Sequence, residues 1–153
     1  MYYEPTRRFV LRAYIPISPI NVVKMGESKE LLTEIEMLNK FLVCISSLIY
    51  HGLGSYYPGL NALLFLRLRM RGIDPYVGLL SDTETYLKTL VALVGNEKLA
   101  QQLLRSILPK KKAFEKALEA LLSSQSKERL ETTLLNIVRK YEREIRSVCR
   151  ELR

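Results

Sequence analysis

The sequence predicts an all-α protein: an extended N-terminal arm, then a bundle of five to six helices that ends in a C-terminal helical hairpin. Three observations carry this. Apolar residues recur at spacings of three and four between Leu31 and Leu152, which keeps them on one face of a 3.6-residue helix. Caps and breakers, among them Ser28, Gly72, Gly95, Asn96 and Pro109, fall between those runs. The first 26 residues lack the period and hold Pro5, Pro16 and Pro19, which remove backbone donors and fix φ. At 153 residues the chain fits one domain able to bury a core. Its parts read as an arm over 1–26, a helical core over 27–108 and a charged hairpin over 109–153.

In the arm, Arg7, Arg8, Arg12 and Lys24 stand against the single acid Glu4. Phe9, Leu11, Tyr14, Ile15 and their neighbours make it too apolar for a free disordered tail, so it needs a surface to lie on. After Gly26, Ser28 can cap a helix with Leu31, Ile35, Leu38, Phe41, Leu42, Ile45, Leu48 and Ile49 on one face. Two glycines in His51-Gly-Leu-Gly-Ser predict its end as a turn. Pro58 suits the first turn of the next helix, which runs to Arg71, with Gly72 as its left-handed terminus. Asp74-Pro75 opens a short helical turn. Ser81 and Glu84 have the capping-box spacing for a helix that ends at Gly95. Asn96 caps another, ended by Pro109. Two more helices follow, about 110–122 and about 127–152, the second continuous through Leu134, Ile137, Tyr141, Ile145 and Val148.

The charge, 24 basic against 16 acidic residues for a net +8, points to a polyanion partner without locating a site. Besides the arm, three basic clusters compete. Arg67, Arg69 and Arg71 close the second helix, and arginine's planar fork can hold two phosphate oxygens. They exceed what complementing the helix dipole requires. Arg139, Arg143, Arg146, Arg150 and Arg153 form a stripe, but interleaved glutamates favour an ion-paired, solvated face of the kind heat-adapted proteins carry. Lys110, Lys111 and Lys112 stand at a helix start, where cations are electrostatically misplaced, and read as an exposed corner. Tyr56 and Tyr57, beside the glycine turn, read as interface residues with an apolar body and a polar tip.

Several function classes find no support. His51 is the only histidine, and no nucleophile–base constellation, metal-ligand spacing, P-loop or Rossmann fingerprint accompanies it, so no enzyme, cofactor or metal is expected. Nor is there a compact basic recognition helix after a short turn, so backbone binding without base reading fits better. Cys44 and Cys149 read as small core residues in a reducing compartment more readily than as a disulfide. The first residues lack a signal peptide's apolar centre, and the greasy run Phe41–Tyr50 is about half of the roughly 20 residues a membrane span needs, so the protein is expected to be soluble or part of an assembly.

The stretch from Tyr57 to Leu108 resembles the major capsid proteins of filamentous archaeal viruses with linear double-stranded DNA, the rudivirus, lipothrixvirus and tristromavirus group. The shared order is Tyr57-Pro-Gly59, a helix bearing Arg67 and Arg71, and a break at Gly72-Ile-Asp-Pro75. A tyrosine- and leucine-rich helix ending in Gly95-Asn96 and a short apolar helix closing at Ile107-Leu108 complete it. An arm before a helical body matches the same layout. The resemblance implies a dimer of identical or paralogous subunits that polymerises helically and wraps duplex DNA in the A form, with no small-molecule substrate. It also implies location in a virion assembled in the host cytoplasm. The region 109–153 extends beyond the pattern.

The leading expectation is therefore a DNA-packaging coat subunit. Arg7, Arg8, Arg12, Lys24, Arg67, Arg69 and Arg71 are its phosphate candidates, and Phe9, Leu11, Tyr14, Ile15, Tyr56 and Tyr57 its subunit contacts. The runner-up is a small helical nucleic-acid-binding subunit of a CRISPR-type RNA-guided complex, which would prefer single strands. A structural module with no nucleic-acid partner is the third reading.

Overall fold

A computed structural model describes residues 25–150, with side chains from Leu32 onward. Every regular element among them is helical. In chain order these are α1 (Met25–Tyr56), α2 (Leu60–Met70), α3 (Gly78–Ser81), α4 (Thr83–Val94), α5 (Glu97–Ile107), α6 (Lys112–Leu122), α7 (Lys127–Lys140) and α8 (Glu142–Cys149). The described residues thus hold eight helices rather than five or six.

The long α1 is the spine, packing against α2, α3, α5, α7 and α8. Leu38, Phe41, Leu42, Ile45, Ile49 and Leu53 are buried along it, continuing the three-and-four spacing through two turns past Ile45. The same core takes in Phe65 and Leu68 of α2, Tyr86 and Leu90 of α4, Phe114 of α6 and Leu134 of α7. Phe41 meets Phe114 edge to face, with ring centroids 5.3 Å apart. No described helix is long and apolar enough to cross a membrane.

Four expectations are corrected. First, α1 neither starts at Ser28 nor ends at His51: it begins at Met25 and runs through both glycines to Tyr56. Those glycines serve close approach instead of a turn. A Cβ on Gly52 would lie 2.4 Å from Ile107 Cγ2 of α5, and one on Gly54 would lie 2.7 Å from Asn61 Nδ2 of α2. Second, the cap of α4 is Asp82, whose carboxylate accepts from the Thr85 amide at 3.3 Å, whereas Ser81 is spent ending α3. Third, the helix predicted over 127–152 breaks at Tyr141, where φ −114° and ψ 32° leave helical geometry.

Fourth, Cys44 and Cys149 form a disulfide that joins the middle of α1 to the end of α8. Such bonds persist in oxidising compartments and inside hyperthermophiles, so a reducing mesophilic interior is not the setting this pairing suits. Other signals hold as read. Gly72 has φ +78° beyond α2, Gly95 ends α4, Asn96 accepts from the Leu99 amide at 2.7 Å, and Leu108 turns extended before Pro109.

Two stability measurements follow. The disulfide spans a sequence separation of 105. Closing a loop of that length is worth about 4.7 kcal/mol in the chain-entropy account, so a Cys44→Ala, Cys149→Ala double variant loses up to that much in denaturant unfolding. Reductant then leaves the variant's midpoint unchanged while lowering that of the parent. Gly52→Ala gains about 1 kcal/mol of helix propensity but overpacks against Ile107, for a net loss of about 1–2 kcal/mol. Adding Ile107→Ala removes the clash and makes the pair less costly than the sum of the singles.

Candidate nucleic-acid interface

Buried Leu64, Phe65 and Leu68 fix which side of α2 faces the core. At about 100° per residue, Arg67 and Arg71 then fall on one flank and Arg69 on the other. Between the flanks, the outward crest carries Leu63, Leu66 and Met70, the last 77% exposed. All three arginines are exposed, but they form two sites instead of one cluster. Arg71 donates from Nη1 to Thr89 Oγ1 on α4 at 3.4 Å, while Thr89 donates to the Thr85 carbonyl. Arg67 makes no ion pair among the described residues.

The crest is part of a larger feature. Among the described residues six large hydrophobic side chains are exposed, and five of them, Tyr56, Tyr57, Leu63, Leu66 and Met70, lie between the end of α1 and the end of α2. Gly59, with φ +91°, makes the turn between the two helices. Exposed apolar side chains gathered in one place mark contact surfaces, whereas scattered ones need no account. Tyr56 and Tyr57 are both about half exposed. The remaining sequence candidates, Arg7, Arg8, Arg12, Lys24, Phe9, Leu11, Tyr14 and Ile15, lie outside the described residues.

On the other flank of α2, Arg69 borders a cavity of about 300 Å³ between α1 and α2. From its second half, α1 delivers Ser47, Tyr50 and His51 to one wall. Phe65 supplies the floor, 4.6 Å between ring centroids from Tyr50, with the Arg69 guanidinium 5.8 Å above its ring. Tyr76 closes the far side, its ring 5.5 Å from Phe65 and edge-on. Its position is set locally: the Asp74 carboxylate accepts from the Tyr76 amide at 2.8 Å, and the Ser46 hydroxyl donates to the Tyr76 carbonyl at 3.1 Å. Reading His51 as a turn residue hid this cavity. The Tyr50, Phe65 and Arg69 spacing alone gives no signal of it.

Three members of the other basic clusters are tied to neighbouring groups. Arg139 of α7 binds Glu34 of α1 through two hydrogen bonds of 2.7 Å, and Arg146 donates to Glu142 at 2.8 Å, as the ion-paired reading of the stripe expects. The break at Tyr141 also divides that stripe. Lys110 donates to the Arg105 carbonyl at 2.9 Å, capping the end of α5 instead of the start of α6. The start of α6 receives a carboxylate from elsewhere: Glu144 of α8 accepts from the Ala113 amide at 2.8 Å. No group of His, Cys, Asp and Glu among the described residues is arranged to hold a metal ion.

This geometry can neutralise phosphates along one flank of α2, pack apolar surface along its crest, and hold a small anion in the cavity opposite. Family models, curated proteins and solved structures all gave no match to the chain.

The Arg139–Glu34 pair has a pH signature. Hydrogen bonds from Arg139 hold the Glu34 carboxyl below the usual carboxylate range, against a smaller opposing effect of burial. A carboxylate whose pKa falls on folding adds stability above its unfolded pKa and loses it as pH drops through the folded value. Arg139 is more than half exposed and Glu34 about a quarter, so solvent screening keeps the cost of Arg139→Ala to about 1 kcal/mol at neutral pH. The difference from the parent shrinks in unfolding curves as pH falls through the folded-state pKa of Glu34, because the protonated carboxyl no longer pairs with Arg139.

Proposed function

We propose that the chain is a structural DNA-packaging protein, a major capsid subunit of the filamentous archaeal virus type. In this reading two subunits, identical or paralogous, pair and polymerise helically along linear double-stranded DNA. They bind phosphates without regard to sequence and are assembled into virions in the host cytoplasm. The observation that carries it is the company kept by Arg67 and Arg71: two exposed guanidinium groups border a crest that carries three of the six exposed large hydrophobics among the described residues. A coat subunit needs both kinds of surface side by side, one for its neighbour and one for the duplex. Two further features support it. The basic excess of the whole chain suits a polyanion, and the Cys44–Cys149 bond suits a heat-adapted host.

Mechanistically, each subunit releases counterions from the phosphates it neutralises, and apolar contacts between subunits make binding cooperative. Packing helices closely around the duplex lowers the water available to its grooves, which favours the A form. The bases are left unread. The arm's cations, Arg7, Arg8, Arg12 and Lys24, add to the same phosphate surface in this reading.

Titration with duplex and single-stranded DNA of equal length tests the proposal. Expected are a preference for duplex, and a log–log salt slope of about −0.9 per phosphate contacted. Arg67→Ala with Arg71→Ala lowers that slope by about 2. Circular dichroism of assembled complexes shows the A-form signature. Equal DNA mobility with and without protein at low salt sinks the reading, and preference for the single strand transfers it to a strand-threading subunit.

A further inference from the structure

We infer that the cavity between α1 and α2 binds a single unpaired nucleotide, with its phosphate on Arg69 and His51 and its ring against the aromatic wall. Size, charge and surface each narrow the occupant. A volume of about 300 Å³ is at the small end of ligand cavities, room for one nucleotide but not for a stacked base pair. The residues around it include a guanidinium and an imidazole and no carboxylate. That selects an anion. Arginine offers a forked pair of donors suited to phosphate, and the imidazole N–H adds a third.

Three of the five remaining lining residues are aromatic, the others being Ser47 and Ala62. Tyr50 and Tyr76 both pack against Phe65, and Tyr50 also meets His51 edge-on at 5.6 Å. A bare inorganic anion has no use for such a surface, whereas a nucleobase stacks on it. Ser47 and the two phenol groups supply polar atoms for the sugar or the ring edge. A paired base cannot enter, so the ligand is a free nucleotide or an unpaired one at a strand end or gap. The inference does not rest on duplex coating, because Arg67 and Arg71 lie on the opposite flank of α2.

Equilibrium dialysis of the full chain tests it, with deoxyadenosine 5′-monophosphate, deoxyadenosine and inorganic phosphate as separate probes. The monophosphate binds at one site per chain, and each of the other two binds at least about tenfold more weakly. Arg69→Ala weakens the monophosphate by about tenfold or more, as loss of a charge-assisted hydrogen bond requires, and His51→Gln weakens it less. Arg67→Ala, which removes the same charge from the other flank, leaves it within about twofold. All three residues are exposed, and circular dichroism of each variant confirms its fold. Equal losses from Arg67→Ala and Arg69→Ala reduce the effect to a diffuse field and overturn the site. So does inorganic phosphate binding as tightly as the monophosphate, or no binding at all. Duplex titration of the same variants separates the two outcomes: it responds to Arg67 and Arg71 whether or not the cavity fills.

Discussion

The burial of one face of α1 is the constraint on which everything else rests. Five other helices pack on it, and its buried residues from Leu38 to Leu53 each withdraw a large side chain from water. At roughly 1.5–3 kcal/mol per fully buried aliphatic or aromatic side chain, that single face outweighs any ion pair on the surface. A helix of this length can serve so many partners only where its side chains shrink. Gly52 and Gly54 provide that near its end, letting α5 and α2 come closer than any other residue type allows.

Much of the fold was legible because helical periodicity is a repeated signal. The core positions Ile35 to Ile49, the left-handed Gly72, the Asn96 cap and the stop at Pro109 all read correctly, each from a mechanism confined to a few neighbouring residues. What failed depended on partners distant in sequence. A glycine that needs φ > 0 and a glycine that needs room for Ile107 look the same in the chain. Ser81 and Asp82 are both good caps, and the choice between them was made by α3 claiming the serine. The break at Tyr141 hides inside an apolar pattern that never stops, though the two consecutive spacings of four around that residue mark where its phase drifts. The pairing of Cys44 with Cys149 could not be read from spacing.

The candidate surface was legible as composition but not as geometry. Arg67, Arg69 and Arg71 make one cluster on paper. Alternate residues on a helix face nearly opposite ways, so the middle one parts from the others once Phe65 and Leu68 fix the inner side. The lysine run taught a related lesson. Its charge looked misplaced because α6 was considered alone. In the bundle Lys110 serves α5 and Glu144 serves α6, so each helix end finds its complement on another element. The C-terminal arginines likewise divide between ties to α1 and pairs along α8. On α2, by contrast, the crest and all three arginines face outward.

The covalent link between α1 and α8 has a mechanical consequence. It closes the second half of α1, all of α2 to α7 and α8 inside a ring. Load applied to the two ends of the polypeptide therefore runs through the first half of α1, across the sulfur atoms and out at residue 149. The helices within the ring carry none of it. Pulled this way, the bundle cannot be unzipped one element after another, and its tensile strength is that of a bond rather than of a core.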